Sequence, residues 1–328
     1  MVNLTVMENQ PLVSIIILNY NGADFLAECI ESVQRTHYTP LEIIVVDNNS
    51  TDQSMEVLEK YPSIRVHRNT RNYGYAEGNN IGVSLSSGKY VVILNNDVTV
   101  EPSWLDVPVQ KFEQNSRLGL ICCRQLRYDR QDTIDGLYHI IQPDLTFFPF
   151  GQNRKLTEDP RFTKPGYVIG TNGASAIIRR ETFLSLGGFD SRFFAYQEET
   201  DLNIRAFLAG WRCYYVPEAV VYHKGSMSFN KNKPMVYYYR ERNRMWLLYK
   251  NFPFLIIFKH LPLMILFELR VCRVFLFKLR RPDLYIKART DGLRALHHYK
   301  GIRKKHTQLF KTRLKEFLYF KKHLFSEE

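Results

Sequence analysis

Amide and carboxylate side chains are concentrated at three points in the first third of the 328-residue chain. Each group directly follows an apolar run, and the groups are Asn19-Tyr20-Asn21, Asp47-Asn48-Asn49 and Asn95-Asn96-Asp97. Asp47 could accept hydrogen bonds from a nucleobase imide or a ribose hydroxyl. Asp97 could bind a divalent cation, because Mg²⁺ needs only one or two carboxylates when substrate phosphates complete its shell. A helix cap at Asp47 and a simple turn at Asn95-Asn96-Asp97 remain open as alternatives.

The second half of the chain contains an acidic group and a histidine after an apolar run. Glu198, Glu199 and Asp201 precede an apolar helical stretch. Crowded carboxylates raise one another's proton affinity, which can prepare one of them as a general base. The imidazole of His223 would suit Mn²⁺ better than Ca²⁺ or Mg²⁺. Acidic enrichment in the first turn of a helix and a structural histidine are the alternatives.

The elements that must position these groups alternate between strand and helix. Apolar runs at residues 13–18, 41–46 and 90–94 predict strands, and residues 64–67 are predicted to form a further short strand. Apolar residues at helical spacing predict helices between them, with Ser50 or Thr51 as the cap of the second helix. This pattern is typical of an α/β fold with a mostly parallel sheet flanked by helices. In such sheets ligands bind at the carboxyl ends of the strands, where all three polar groups fall.

The pattern is less regular after residue 100. Residues 125–165 predict a variable loop region over the site. The sequence pattern predicts a helix at residues 200–208 and two strands at residues 213–216 and 219–222. The chain after Pro234 predicts basic amphipathic helices.

Charge divides the chain into two regions. From Phe229 onward there are 24 basic and 7 acidic residues, whereas the first 228 residues contain 21 basic and 26 acidic ones. This asymmetry predicts different tasks for residues 11–228 and residues 229–328.

Five cysteines without a Cys-x-x-Cys pair favour a reducing compartment. No stretch is typical of a secretory signal or reaches the roughly 18 apolar residues that span a bilayer.

The order of the motifs resembles the family 2 glycosyltransferases, and among them the bacterial rhamnosyltransferases. The resemblance covers residues 11–250 and rests on residues 13–22, 45–52, 72–82, 95–97, 187–190, 198–202 and 222–223. It implies a GT-A, Rossmann-like fold. Residues 11–100 would form the half that binds the donor nucleotide, and residues 101–228 the acceptor half.

The resemblance also implies roles for individual residues. The donor would be a nucleotide-diphosphate sugar, and a glycan or polyprenyl-linked acceptor would receive the sugar. The implied donor-binding residues are Asn19, Tyr20, Asn21, Asp47, Asn49, Gly74, Asn80, Asn95 and Asn96. Asp97 and His223 would hold Mn²⁺ or Mg²⁺. Glu199 would be the base of an inverting single displacement, with Glu198 and Asp201 orienting it or binding acceptor.

Two departures from the family pattern affect these assignments. Asn95 stands where the family has the first Asp of its metal motif, so fewer charges would hold the cation. Glu198-Glu199 stands where the family usually has Glu-Asp. The choice of base between Glu199 and Asp201 therefore stays open.

The basic region of residues 229–328 predicts peripheral association with an anionic membrane on its cytoplasmic face. A helical subdomain packed on the core is the alternative.

Three other functions compete with glycosyl transfer: nucleic-acid binding, nucleotidyl transfer and nonenzymatic sensing of sugar nucleotides. The basic charge lies away from the α/β half and no nucleic-acid motif is present, so no nucleic-acid partner is expected.

Overall fold

A nine-stranded sheet forms the centre of the computed structural model, within the residues that it describes, 10–225 and 233–325. The strands, including a separate hairpin β7–β8, are β1 (Val13–Asn19), β2 (Leu41–Asp47), β3 (Arg65–Arg68), β4 (Tyr90–Asn95), β5 (Val98–Val100), β6 (Leu118–Arg127), β7 (His139–Ile141), β8 (Phe147–Pro149), β9 (Gly166–Val168), β10 (Ser175–Arg179) and β11 (Arg212–His223). The sheet order is β3-β2-β1-β4-β10-β6-β11-β5, with β9 beside β11. Only β10, β5 and β9 run against the common direction of the described sheet. The predicted α/β fold with a mostly parallel sheet is confirmed.

Helices cover both faces of the sheet. They are α1 (Ala23–Gln34), α2 (Ser54–Leu58), α3 (Gly74–Leu85), α4 (Asp106–Gln114), α5 (Arg180–Ser185), α6 (Glu198–Ala209), α7 (Lys233–Asn251), α8 (Phe254–Arg273), α9 (Pro282–Arg294) and α10 (Lys300–Phe325). Ile15 and Ile17 pack in the core on one face, and Ile16 packs in the core on the other. Because successive strand residues point to opposite faces, a strand buried on both sides must be apolar throughout.

Several local predictions differ from the structure. Residues 213–216 and 219–222 belong to one strand, β11, which is irregular between Val216 and Val220. Neither Ser50 nor Thr51 caps α2, whose N-cap is Gln53. The Ser50 hydroxyl instead donates to Asp47 at the end of β2. The pattern also did not predict β5, α4 or β6, and the predicted loop region contains the hairpin β7–β8.

The C-terminal helices pack directly on the α/β part. Helix α7 contacts α9 and α10, and α10 contacts α6. One core cluster joins Phe193 and Ile204 to Trp246, Phe252 and Phe310. The prediction of helices after Pro234 is confirmed, whereas the predicted boundary at residue 228 lies outside the described residues. Within the described chain, every helix is too short or too polar to cross a membrane.

Candidate functional site

The loops after β1, β2 and β4 meet because β1 lies between β2 and β4 in the sheet. A crevice opens where the chain leaves neighbouring parallel strands in opposite directions. Asn19 connects the three loops. Its Nδ2 donates to Asp47 Oδ1 at 2.9 Å, and its Oδ1 accepts from Asn96 Nδ2 at 2.7 Å. The prediction that the three polar groups share one edge of the sheet is confirmed.

Asp47 is fully buried beneath this edge. Besides the bond from Asn19, its carboxylate accepts from the Ser50 backbone N–H at 2.9 Å and from the Ser50 hydroxyl at 2.5 Å. Asn21 lies above it, and its Oδ1 accepts from the Thr51 N–H at 2.8 Å. Asp47 therefore orders the loops that form the cleft floor.

A cleft of about 310 Å³ lies at the carboxyl edge of the sheet. The predicted site residues that line it are Tyr20, Gly74, Asn95, Asn96, Asp97, Glu198, Glu199 and His223. The predicted residues outside its lining are Asn19, Asn21, Asp47, Asn49, Asn80 and Asp201. Asn80, for example, exchanges two hydrogen bonds of 2.9 Å with the backbone of Phe189.

Asn95 leaves a hydrogen-bond acceptor in the cleft wall. Its Oδ1 is buried and has no hydrogen-bond partner among the described residues. A buried polar atom without a partner costs free energy, and in a cleft a ligand can supply the missing bond. Asn95 stands where the family motif has its first Asp. The side chain at this position therefore presents a neutral amide to the ligand space in place of a carboxylate.

Gly74 permits the close approach of two walls of the cleft. Its φ is +82°, and a Cβ at this position would lie 2.4 Å from the carbonyl oxygen of Phe194. The N–H of Ala76 donates to that same carbonyl at 3.1 Å. A side chain at position 74 would therefore push away the segment that leads into α6.

The segment before α6 has unusual backbone geometry. Phe194, Tyr196 and Gln197 have φ values of 65°, 72° and 73°, in the region that side chains rarely adopt. Such strain persists only where the surroundings hold it. Asn243 of α7 does this, because its Nδ2 is bonded to the carbonyls of Phe193, Ala195 and Tyr196 at 2.9, 2.8 and 2.7 Å.

Glu198 and Glu199 begin helix α6 at the cleft wall. Burial, and then the adjacent charge of Glu199, raise the pKa of Glu198 well above its usual range. Oε2 of Glu198 is buried and accepts no hydrogen bond from any described residue. Burial and the neighbouring charge therefore favour the protonated form of Glu198.

Asp201 points away from the cleft into a buried ionic network. Its Oδ2 accepts from Arg205 Nε at 2.7 Å and from Lys250 Nζ at 2.9 Å, and its Oδ1 accepts from Asn251 Nδ2 at 2.8 Å. Burial raises the pKa of Asp201, but Lys250 and Arg205 outweigh burial and hold the pKa well below its usual range. Lys250 also donates to Asp190 at 2.9 Å, so the network joins α6 to α7.

Asp97 and His223 meet on the opposite wall. His223 Nε2 lies 3.3 Å from Asp97 Oδ1, and His223 Nδ1 lies 2.8 Å from Asp135 Oδ2. Burial lowers the pKa of His223, but the two flanking carboxylates outweigh burial and raise it to about 10. Gln125 Nε2 donates to the same oxygen of Asp135 at 2.5 Å. Asp135 therefore fixes the orientation of the imidazole.

The separation of Asp97 and His223 fits two neighbouring ligands of one small cation. Ligand atoms at roughly 2.1 Å from an octahedral ion and at right angles lie about 3 Å apart. Among the described residues, no group of three or more His, Cys, Asp or Glu side chains could hold a metal ion. The residues present therefore fit a cation whose remaining ligands come from substrate phosphates and water.

Sequence reasoning did not identify several residues that build the site. Asn48, Tyr75, Gln125 and Asp135 line the cleft. Asn243 holds the strained segment before α6. Asn48 directly follows Asp47 after a strand, so its position was a usable signal. Asp135 and Asn243 had no such signal, because they lie 88 and 48 residues from the side chain or carbonyl that they contact.

Comparisons with known proteins agree with this architecture. The model of the family described as glycosyl transferase family 2 matches residues 14–187. The O-antigen biosynthesis protein RfbC of Myxococcus xanthus is 30% identical over 66% of this chain, which spans 18% of that relative. The N-acetylglucosaminyl-diphospho-decaprenol L-rhamnosyltransferase of Mycobacterium tuberculosis (strain H37Rv) is 24% identical over 66% of this chain and 78% of its own length.

A solved structure shows the same fold. The mannosyltransferase PcManGT of Pyrobaculum calidifontis, in complex with GDP-Man and Mn²⁺, superposes with a TM-score of 0.55 at 18% identity, over 92% of this chain and 85% of that one. The GT-A fold predicted from the resemblance is confirmed. Because the family model covers more than half of the sequence, the chain belongs to glycosyl transferase family 2.

Proposed function

We propose that this enzyme is an inverting glycosyltransferase of cell-surface polysaccharide synthesis. It transfers a sugar from a nucleotide-diphosphate donor to a glycan or a polyprenyl-linked acceptor. The observation that supports this most is that Asp97 and His223 line the same cleft as Glu199. One space therefore contains a candidate cation site for the leaving diphosphate and a carboxylate for the incoming hydroxyl.

The nature of donor and acceptor is supported by the relatives. PcManGT was solved with GDP-Man and Mn²⁺, and the mycobacterial relative is named for a diphospho-decaprenol acceptor. The chain spans less than a fifth of RfbC, so the polysaccharide pathway is part of the proposal. A cytoplasmic position at the inner face of the membrane belongs to the same proposal, as does peripheral membrane binding.

Asp97 and His223 would hold Mn²⁺ or Mg²⁺. When bound, the cation would neutralise charge on the departing diphosphate. Asp135 keeps Nε2 of His223 directed at Asp97 by bonding to Nδ1. Asn95 and Asn96 line the cleft and would bond to the nucleotide.

Glu199 would take the proton from the acceptor hydroxyl as that oxygen attacks the anomeric carbon. Burial and the Glu199 charge favour the protonated form of its neighbour Glu198. Glu199 is also the more exposed of the two side chains, so an acceptor can reach it more readily. Asp201 would position α6 through Arg205 and Lys250.

Nucleotide release from a panel of donors tests the proposal. The full chain, with Mn²⁺ or Mg²⁺, is incubated with uridine, thymidine and guanosine diphosphate sugars. We expect release from one donor class, loss of release when EDTA removes the metal, and recovery when Mn²⁺ is restored. Tight donor binding without release, with acceptor lipids present, would favour a nonenzymatic sensor instead.

Replacement of Asp135 by Asn is expected to weaken metal binding. A carboxylate that holds a metal-binding imidazole typically contributes 10- to 100-fold to affinity, so we expect the Kd for Mn²⁺ to rise by about that factor. Mn²⁺ binding is followed by electron paramagnetic resonance with the nucleoside diphosphate that the donor panel identifies. Asp24→Asn, an exposed substitution outside the cleft, is the control. Equal Mn²⁺ affinity in D135N and wild type would exclude this role for Asp135.

A further inference from the structure

Helix α8 exposes more large apolar side chains than any other helix in the described part of the chain. Only Val271 of α8 is buried. The exposed ones are Phe254, Leu255, Phe258, Leu261, Leu263, Ile265, Leu266 and Leu269, and the π-helical segment Val274–Lys278 that follows adds Leu276 and Phe277. Soluble monomers rarely expose an apolar surface of this extent, and those that do usually bind something there.

Four of the exposed side chains form a stripe along α8. Leu255, Phe258, Leu266 and Leu269 lie within about a quarter turn of one another at 3.6 residues per turn. Their exposed fractions are 78%, 74%, 53% and 58%. A surface helix normally presents polar residues on this side and apolar ones to the core. Helix α8 presents apolar residues on this side as well.

The opposite side of α8 is fixed to the protein. Ile256, Ile257 and Met264 pack on the core cluster that contains Trp246 and Phe252. Glu268 accepts hydrogen bonds from Arg289 Nε and from the Tyr285 hydroxyl, both at 2.6 Å. The stripe therefore faces outward in a defined orientation.

Exposed cations accompany the stripe. They are Lys259, Arg270, Arg273, Lys278 and Arg280. The single carboxylate between residues 252 and 282 is Glu268, which Arg289 and Tyr285 engage. A second copy of α8 packed on this face would bring like charges together, because a two-fold interface pairs a surface with itself. Anionic lipid headgroups match the charge instead.

Helix α8 is also suited to lie in the membrane plane. No helix in the described residues can cross a bilayer. An exposed apolar face with adjacent cations is typical of helices that lie at the boundary between headgroups and acyl chains.

A chain of contacts connects α8 to the cleft. His260 Nδ1 of α8 lies 2.7 Å from the carbonyl oxygen of Pro143, in the connection between β7 and β8. Pro149, at the end of β8, lines the cleft. The hairpin thus links α8 to the wall of the site.

We propose that α8 and the segment Val274–Lys278 form an in-plane docking surface for an anionic lipid bilayer. Leu255, Phe258, Leu266 and Leu269 enter the lipid, and the hairpin β7–β8 brings the cleft to the membrane surface. The reach of a lipid-linked acceptor into the cleft rests on the proposed function. The docking names the surface for the peripheral membrane binding proposed above, and it does not depend on the glycosyl transfer reaction.

Vesicle co-sedimentation of the full chain tests the proposal. The vesicles are phosphatidylcholine with about one-third phosphatidylglycerol, and pure phosphatidylcholine is the comparison. Wild type should bind the anionic vesicles, and more weakly as salt rises. Phe258→Glu combined with Leu266→Glu should reduce binding about tenfold or more, because two apolar side chains lose their burial in lipid. Val66→Glu combined with Leu184→Glu, at exposed positions elsewhere, should bind within about twofold of wild type.

Two controls separate the outcomes. Nucleotide release from donor without added lipid should be equal in the α8 variant and in wild type, which reports the glycosyltransferase site independently of docking. Light scattering gives the oligomeric state. A dimer that the α8 substitutions dissociate, with no binding of wild type to anionic vesicles, would overturn the proposal in favour of a second copy. Equal vesicle binding by wild type and the α8 variant would overturn it as well.

Discussion

Glu199→Gln is expected to lower kcat by about 10²- to 10⁴-fold, the usual contribution of a positioned general base. Glutamine keeps the size and hydrogen-bonding capacity of the side chain but cannot take the acceptor proton. Donor affinity should change by less than about threefold, because no positive charge of the donor pairs with this carboxylate in the proposal. The measurement is steady-state turnover together with equilibrium binding of the donor nucleotide.

Two further substitutions make the result specific. Glu198→Gln should keep most of its activity, because burial raises the pKa of Glu198 and so favours the uncharged acid, which an amide resembles. Glu56→Gln, on the exposed surface of α2, removes a carboxylate far from the cleft lining and should leave kcat unchanged. If Glu199→Gln and Asp201→Asn both turned over at the wild-type rate, neither carboxylate would be the base.

The meeting of the polar groups could be predicted because strand direction determines it. Asn19 and Asp47 end buried strands and Asn96 follows one, and parallel strands place their carboxyl ends at one edge. The pattern could not predict how deeply each of these side chains is buried. Asp47 and Tyr20 both follow strands, yet Asp47 is fully buried whereas Tyr20 is 38% exposed. That difference depends on how the loops pack over one another.

The sequence also could not predict that α7 buries its polar side chains against the α/β part whereas α8 exposes its apolar ones. Both helices mix aromatic, aliphatic and basic residues. In α7 the polar side chains of Asn243, Lys250 and Asn251 are buried, because their partners lie on the segment before α6 and on α6 itself. Those contacts join residues about 50 apart in the chain. Local composition therefore predicted a basic helical region correctly but not which helix packs inward.

Asp201→Asn should lower stability by about 3–5 kcal/mol, the usual cost of leaving buried charges without their partner. Asp201 is fully buried, and the substitution leaves Arg205 and Lys250 without the carboxylate that they share. The measurement is urea unfolding at pH 7, followed by fluorescence. Asp283→Asn, which removes an exposed ion pair with Arg281, is the control and should unfold at the wild-type midpoint.

The pH dependence gives an independent check on Asp201. Lys250 and Arg205 outweigh burial and hold the pKa of Asp201 well below its usual range. A carboxyl group with a lower pKa in the folded state stabilises the protein above its unfolded value of about 3.9. That contribution is lost as pH falls through the folded pKa. The stability difference between wild type and Asp201→Asn should therefore be largest near pH 7 and shrink below about pH 4. An Asp201→Asn enzyme that unfolds at the wild-type midpoint but turns over 10²-fold more slowly would place this carboxylate in the chemistry rather than in the support of α6.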